Sequence, residues 1–365
     1  MPEKTILTNA LSGEGLSTWD ADGEGWAVRL RTLHGGKQEG SQLLSIRTDD
    51  LEVILIPTRG LGFHSVTAGA AQLGWESPVT EVVHPSFVNL ESRGGLGWLD
   101  GFNEWLCRCG LEWSGHPGED RFVNNVGDEA TMDVTLHGKI ANIPVSKLSV
   151  TVGEDVIMVE AETHERMFHG PKLVLHSRVH IPKKGTAFRI EDIVENRSSR
   201  PQEFQLLYHC NVGRPVLGEG AKVVLDAETI EPFNARAAEG LATYDAYDGP
   251  VSGFVEQVYC ITPKPDATGM VRVLLHDAAA ATGVALTYRL EQLPCFTLWK
   301  NTGAIEDGYV TGIEPGTSFP RTRRLERKAG RVPVLQPGQA RSFGITVDVL
   351  PTKDGVAAMA ARIRP

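Results

Sequence analysis

The sequence predicts an all-β protein, a large antiparallel β-sandwich with few short helices. Glycine (39 residues) and proline (21 residues) are spread evenly and divide the chain into short segments, as many strands and turns would. Several segments alternate apolar and polar residues, which is typical of strands with one buried and one solvated face. Strands do not alternate with long helical patterns, so a doubly wound α/β sheet is not expected.

Ten segments carry the strand pattern, and the last of them alternates most regularly. They are Leu51–Ile56, Lys147–Val152, Val156–Ala161, Leu173–Ile181, Phe188–Val194, Phe204–Tyr208, Ala221–Leu225, Val271–Leu275, Ala285–Leu290 and Ser342–Leu350. Helical patterns are found at 354–363, which predicts a C-terminal helix, and at Ser86–Leu90, where a short helix could begin. The stretch 84–120 is rich in Gly, Trp and His and is predicted to form ordered loops.

The length and composition are those of an ordinary globular chain that can bury a large core. The chain has 365 residues, of which 41% are hydrophobic and 22% charged. Large β-sandwiches often exceed the usual length of one domain, and no repeat or low-complexity linker divides the chain. We therefore expect a single domain over residues 1–365, with residues 1–45 as an N-terminal extension packed on it.

The charge balance excludes some classes of partner. The formal net charge of −10 argues against a nucleic-acid binder and against docking on an anionic membrane. The N-terminus lacks the apolar segment of a signal peptide, and no stretch is long enough to span a membrane, so we expect a cytoplasmic protein. Basic residues do cluster locally, which indicates either a solvated surface or the recognition of an anionic substituent. The cluster is Arg321, Arg323, Arg324, Arg327 and Lys328.

The cysteines and histidines do not form a metal-binding pattern. Among the five cysteines the only close pair is Cys107 and Cys109, whereas a structural zinc site needs two such pairs or a histidine pair. His164 and His169 are five residues apart, so on a helix they would point about 140° apart. His176 and His180 would share a strand face but lie about 13 Å apart. The sequence predicts neither a metal nor an organic cofactor.

Three short segments stand out as candidates for a catalytic site. The first is Leu136-His137-Gly138-Lys139, and the second is Tyr208-His209-Cys210-Asn211 directly after a predicted strand. The third is Gly312-Ile313-Glu314-Pro315, which follows Trp299-Lys300-Asn301. A histidine and a carboxylate suit acid–base catalysis, because both can be tuned to change protonation near neutral pH.

With these segments in this order, the sequence resembles the galactose mutarotase-like superfamily, in particular its branch of predicted aldose 1-epimerases of poorly defined function. The resemblance covers most of the chain and rests on several further motifs. They are Pro57-Thr58-Arg59-Gly60-Leu61-Gly62, Gly74-Trp75-Glu76-Ser77-Pro78, Trp98-Leu99-Asp100-Gly101-Phe102, Cys109-Gly110-Leu111 and Leu335-Gln336-Pro337-Gly338. The fold that it implies is the galactose mutarotase-like supersandwich.

The resemblance also implies roles for individual residues. It implies that His209 is the general acid, that Glu314 is the general base and that His137 holds the substrate. The family also uses an aspartate on the sugar hydroxyls, for which Asp245, Asp248 and Asp266 are all candidates. The sequence has Asn211-Val212 where the family motif has Phe-Asn-Leu, which leaves the identity of the sugar open.

We therefore expect an aldose 1-epimerase-like enzyme that opens and recloses the ring of a small-molecule sugar. Two alternatives stay open: an isomerase or lyase that acts on a keto-sugar with the same acid–base pair, and a non-catalytic carbohydrate-binding protein. A homodimer is also open. Tryptophans could stack on a sugar ring or simply be core residues, namely Trp75, Trp98, Trp105, Trp113 and Trp299. The predicted substrate contacts are His137, Arg59, Lys300, Asn211, His176 and Trp299.

Overall fold

The computed structural model describes residues 3–363, and antiparallel strands dominate it. The first thirteen strands are β1 (Glu3–Asn9), β2 (Glu14–Gly15), β3 (Thr18–Gly23), β4 (Trp26–Thr32), β5 (Gln42–Thr48), β6 (Glu52–Ile56), β7 (Gly62–Ala68), β8 (Ala71–Leu73), β9 (Leu106–Leu111), β10 (Gly118–Val123), β11 (Glu129–Val134), β12 (Lys147–Val152) and β13 (Val156–Arg166). The others are β14 (Lys172–Pro182), β15 (Ala187–Asn196), β16 (Gln202–Glu203), β17 (Gln205–Val212), β18 (Lys222–Leu225), β19 (Ala227–Pro232), β20 (Gln257–Pro263), β21 (Met270–His276), β22 (Gly283–Arg289), β23 (Cys295–Thr302), β24 (Tyr309–Gly316), β25 (Val334–Leu335) and β26 (Ala340–Leu350).

The helices are short. The α-helices are α1 (Ser92–Gly95), α2 (Ala235–Glu239), α3 (Arg323–Lys328) and α4 (Lys353–Ile363). Single 3₁₀ turns occur at Gly36–Gln38, Pro85–Phe87, Gly97–Gly101, Ile140–Asn142, Leu241–Thr243 and Ile305–Asp307. None of the helices within residues 3–363 is long and apolar enough to cross a membrane.

Two large sheets form the sandwich. The first has ten strands in the order β18-β21-β22-β26-β15-β14-β13-β12-β1-β2. The second has twelve, in the order β19-β20-β23-β24-β17-β9-β7-β6-β5-β4-β3, with β8 paired to β7. Two small sheets, β10–β11 and β16–β25, lie apart from them. The all-β sandwich predicted from the sequence is confirmed.

The main core lies between the two large sheets. One continuous cluster of buried apolar side chains takes members from both, such as Leu55 and Phe63 from the second sheet and Val159 and Ile190 from the first. Phe63 and Phe188 stack across the gap with ring centroids 5.7 Å apart. A separate apolar cluster covers the other face of the second sheet, around Trp98. The central strands of the second sheet are therefore buried on both faces.

The ten predicted strands are all present, with ends that differ by a few residues, and so are the C-terminal helix and a short 3₁₀ turn near residue 86. The prediction of loops throughout 84–120 is wrong at β9 and at the start of β10. All six residues of β9 are buried, so the strand lacks the alternation that would have marked it.

The segment 1–45 contributes strands to both large sheets over its described residues. β1 pairs with β12 at the edge of the first sheet, while β3, β4 and the start of β5 belong to the second. Leu7 of β1 is buried in the main core. We propose that the chain is one domain in which this segment is an integral part.

Candidate active site

The candidate site lies on the outer face of the second sheet, where β17 runs through its centre. Side chains alternate along β17, so Leu206 and Tyr208 enter the main core while Leu207 and His209 face the cluster around Trp98. Loops from other parts of the chain cover this outer face. His209 is therefore only 5% exposed although it lies on the outside of the sandwich.

One hydrogen bond fixes the orientation and tautomer of His209. The Asn211 amide donates through Nδ2 to the backbone oxygen of Glu104 (2.9 Å), so its Oδ1 faces the histidine. His209 Nδ1 lies 2.6 Å from that oxygen and must donate to it. In the neutral ring Nε2 then carries the lone pair, and it lies 3.2 Å from Glu314 Oε1.

Glu314 comes from β24, the neighbour of β17, and is 2% exposed. Burial raises the pKa of its carboxyl well above the usual range, and the nearby Glu256 carboxylate raises it further. Burial lowers the pKa of His209 to about 4, because imidazolium is poorly solvated there. Burial therefore favours the uncharged form of both groups, in which the carboxyl holds the one proton that the pair can exchange.

His137 lies beside the pair on a left-handed turn. Its φ is 55° and that of Gly138 is 75°. A side chain at Gly138 would collide with the backbone oxygen of Gly110, so the turn needs glycine there. The turn brings the His137 ring to 5.1 Å from the His209 ring and 4.9 Å from Trp98. Burial, and then the neighbouring His209, hold the pKa of His137 well below its usual range.

These three residues line a cavity of about 250 Å³ with aromatic walls. Trp98, Phe102 and Trp299 surround His209 with ring centroids 5.9, 5.3 and 5.5 Å from its own. At the mouth, Trp299 Nε1 donates to Glu256 Oε2 at 2.8 Å. The volume is slightly below the range of about 300–1,000 Å³ that ligand pockets span, which suits a small ligand.

Four residues that line the cavity each carry a buried polar atom without a hydrogen-bond partner among residues 3–363. A buried polar atom without a partner is costly, so these atoms are candidates for hydrogen bonds to a ligand. They are Trp98 Nε1, His137 Nδ1, Thr297 Oγ1 and Glu314 Oε1.

Arg59 was predicted to contact substrate, but it does not line this cavity. Its side chain is fully buried and pairs with Glu104 (Nε to Oε1, 2.6 Å), and Nη1 donates to Asn142 Oδ1. Glu104 is also the residue whose backbone oxygen holds Asn211. Arg59 therefore supports the segment behind His209, and Asn211, itself fully buried, orients His209 and does not reach the cavity.

Lys300 is also outside the cavity, because it alternates with Trp299 along β23 and points to the opposite side of the strand. Its Nζ donates to the backbone oxygens of Thr243 (3.2 Å) and Ala246 (2.6 Å) and lies over the Tyr247 ring. Burial lowers its pKa to about 8. Lys300 holds the 243–247 segment against the sheet, so the expected contact with substrate is not seen.

His176 is remote from the cavity as well. It lies in the middle of β14, as expected, but on the outer face of the first sheet, where Nε2 is 2.8 Å from Glu195 Oε2 and Nδ1 is 3.8 Å from Glu162 Oε1. Its neighbour Leu175 is the one that enters the core. The sequence correctly placed His176 in a central strand, but it did not indicate the sheet face on which the side chain lies.

Sequence reasoning missed three polar residues of the wall, Glu256, Thr297 and His116. Thr297 could have been found, because it precedes Trp299 by two residues and so shares its strand face. Glu256 and His116 lie just before β20 and in a loop, where no periodicity indicates a direction.

The three aspartates considered for the sugar hydroxyls, Asp245, Asp248 and Asp266, do not line the cavity either. Asp266 instead accepts hydrogen bonds in a turn, from Thr268 and Arg272. Glu256 is the acidic residue found at the mouth. Within residues 3–363 no group of three His, Cys, Asp or Glu side chains is arranged to hold a metal ion.

The chain matches one family model and is similar to several solved structures. A family model described as Domain of unknown function (DUF4432) matches residues 38–349. No protein of curated function matches the chain. A crystal structure from Klebsiella pneumoniae subsp. pneumoniae, provisionally named an aldose 1-epimerase, is 37% identical with a TM-score of 0.93, over 100% of this chain and 95% of its own.

More distant structures share the fold. A galactose mutarotase-like protein from Clostridium acetobutylicum has a TM-score of 0.58 at 14% identity, over 87% of this chain and 97% of its own. A galactose mutarotase related enzyme from Lactobacillus acidophilus has a TM-score of 0.56 at 14% identity, over 86% and 98%.

Proposed function

We propose, from the premise that this chain belongs to the DUF4432 family and has the galactose mutarotase-like fold, that it is an aldose 1-epimerase acting on a free sugar. The observation that carries the proposal is the pairing of His209 Nε2 with Glu314 Oε1, 3.2 Å apart in one small cavity. Two proton-transfer groups on one sugar-sized space are what the opening of a cyclic hemiacetal requires.

Each step of the reaction requires one group to donate a proton to the sugar and another group to accept a proton from it. With both groups uncharged, Glu314 donates its proton to the ring oxygen while His209 Nε2 accepts the proton of the C1 hydroxyl. The C1–O bond to the ring breaks, the open aldehyde turns about C1–C2, and the ring closes on the other face with the two groups in exchanged roles. The resemblance implies the reverse starting roles, in which His209 donates to the ring oxygen and Glu314 accepts from the C1 hydroxyl. The two assignments differ both in the group that holds the proton first and in the group that faces the ring oxygen.

The walls suit a sugar ring. The aromatic rings of Trp98, Phe102 and Trp299 offer apolar faces to the C–H side of a pyranose. The unpartnered Trp98 Nε1, His137 Nδ1 and Thr297 Oγ1 offer hydrogen bonds to its hydroxyls. A monosaccharide supplies both kinds of surface at once, which supports the choice of ligand class.

Relaxation of freshly dissolved α-aldoses, followed by polarimetry or NMR, tests the proposal. We expect faster relaxation with protein, and a loss of about a hundredfold or more in His209→Asn or Glu314→Gln, the share that a positioned acid or base contributes. His34→Asn and Glu39→Gln are matched controls, because they form a similar pair (3.0 Å) that is exposed and outside the cavity.

Two results would contradict the proposal. If no aldose of a broad panel relaxes faster, and a keto-sugar exchanges a proton on a carbon next to its carbonyl in heavy water, the pair performs isomerisation. If sugars bind tightly without any turnover, and binding survives both substitutions, the cavity is only a carbohydrate-binding site.

A further inference from the structure

The wall of the cavity carries acidic groups and no basic side chain of the lysine or arginine type. Within the described part of the chain, the ionisable groups that line it are Glu256, Glu314 and the three histidines His116, His137 and His209. The pKa of Glu314 is raised by burial and by Glu256, and no cation opposes that shift. A negative group on a ligand would meet no lysine or arginine here.

The basic residues that could have recognised an anionic sugar have other partners. The Arg321 guanidinium stacks on the Phe233 ring, 4.7 Å from its centroid. Arg323 and Arg327 both pair with the buried carboxylate of Asp120. Lys300 points away from the cavity to backbone oxygens. None of these residues lines the cavity, so the alternative that they recognise an anionic substituent finds no support there.

Glu256 places a fixed negative charge at the mouth. Its Oε2 accepts a hydrogen bond from Trp299 Nε1, which orients the carboxylate along the edge of the cavity. No partner within residues 3–363 is found for its second oxygen, and the residue is exposed. This oxygen is free to accept from a ligand that enters past Trp299, and it would do so most strongly from a cation.

We propose that this cavity selects against sugars that carry a carboxylate or phosphate, and that it prefers amino sugars, with Glu256 as the group that meets the ammonium. The inference rests on the proposed function for its ligand class and names the charge of the substrate. It predicts an order of affinity, amino sugar above neutral sugar above sugar acid, for sugars of otherwise equal structure.

Tryptophan fluorescence can measure this order independently of turnover, because Trp98 and Trp299 line the cavity. The probes are D-galactose, its 2-amino and 6-amino derivatives and D-galacturonic acid, titrated at about pH 6, where an amine of ordinary pKa is protonated. We expect at least one amino sugar to bind about two- to fivefold more tightly than galactose, the factor that an exposed ion pair gives. Galacturonic acid should bind more weakly than galactose.

Glu256→Gln keeps the acceptor for Trp299 but removes the charge, so the ratio between amino sugar and galactose should fall to about one. Glu228→Gln, an exposed glutamate on β19 outside the cavity, should leave that ratio unchanged. Galacturonic acid binding as tightly as galactose, or an amino-sugar preference that persists in Glu256→Gln, would overturn the inference. A panel that binds in the expected order without faster anomer relaxation would instead count only against the proposed enzyme activity.

Discussion

Asn211 orients His209 of the candidate site without reaching the cavity. Its amide is held by the backbone oxygen of Glu104, and it leaves His209 only one way to place its proton. The Nε2 lone pair is thereby directed at Glu314 before any ligand binds. A residue of this kind acts through another one, so its effect should be visible in the titration of His209.

Asn211→Asp is expected to raise the pKa of His209 above its value of about 4. A carboxylate 2.6 Å from Nδ1 would stabilise the imidazolium, which the neutral amide does not. In the proposed reaction His209 must begin uncharged, so activity falls as the pH drops through this pKa. We expect that acidic limb to move to higher pH by about one unit or more in Asn211→Asp. Histidine NMR titration measures the pKa of His209, and the pH profile of kcat/KM measures the position of the acidic limb. An acidic limb at the same pH in both proteins would show that Asn211 does not set the protonation state of His209.

At this scale, short motifs in the sequence singled out side chains that the fold brings together. His137, His209 and Glu314 each sit in a local pattern, and the fold brings all three to one cavity. Lys300 and Arg59 sit in similar patterns but point elsewhere, because side-chain direction depends on strand register and on loops that no local pattern specifies.

The strands that carry the site are buried on both faces, and such strands are difficult to predict from the sequence. All residues of β9, β17 and β24 are buried, so they lack period-two alternation. Strands of the first sheet such as β13 and β26 alternate clearly and were predicted. The strand prediction therefore succeeded away from the site: β24 was missed, and β17 was recognised only in part.

A buried ion pair links the two sheets directly beneath these strands. Arg108 of β9 donates to both oxygens of Asp192 of β15 (2.6 and 3.0 Å), and Tyr208, next to His209, donates to the same carboxylate at 2.8 Å. Arg108 and Asp192 are almost completely buried. The link fixes the position of β9 and β17 relative to the first sheet.

Removing one partner of this pair should be costly, because the other charge stays buried without compensation. We expect Asp192→Ala to lower the free energy of unfolding by about 3–5 kcal/mol. Asp20→Ala, which breaks the exposed Arg31–Asp20 pair (2.7 Å), should cost about 1 kcal/mol or less. Urea unfolding followed by circular dichroism measures both. Equal losses in the two variants would mean that the buried pair does not hold the sheets together.

At the scale of the whole molecule, the two outer faces of the sandwich differ. Loops and aromatic residues cover the outer face of the second sheet and enclose the cavity there. The outer face of the first sheet is polar around β14, where His176 and His180 pair with glutamates, and α4 packs on it at β21 and β22. Both sheets therefore form the core, but only the second positions the site, and each sheet contains strands from the N-terminal segment.

The role of that segment can be tested with two neighbouring residues of β1. Leu7 is 1% exposed and joins the main core, whereas Ile6 is 58% exposed on the other face of the strand. If β1 is an integral part of one cooperative domain, Leu7→Ala should lower the global free energy of unfolding by about 2–4 kcal/mol, as for other buried leucines. Ile6→Ala, which removes an exposed side chain of similar size, should cost about 0.5 kcal/mol or less.

Unfolding followed by both tryptophan fluorescence and circular dichroism shows whether the loss is global, because a cooperative domain gives coincident transitions. A Leu7→Ala protein with an unchanged main transition and an early loss of β1 alone would mean that the N-terminal segment is packed onto a core that is complete without it.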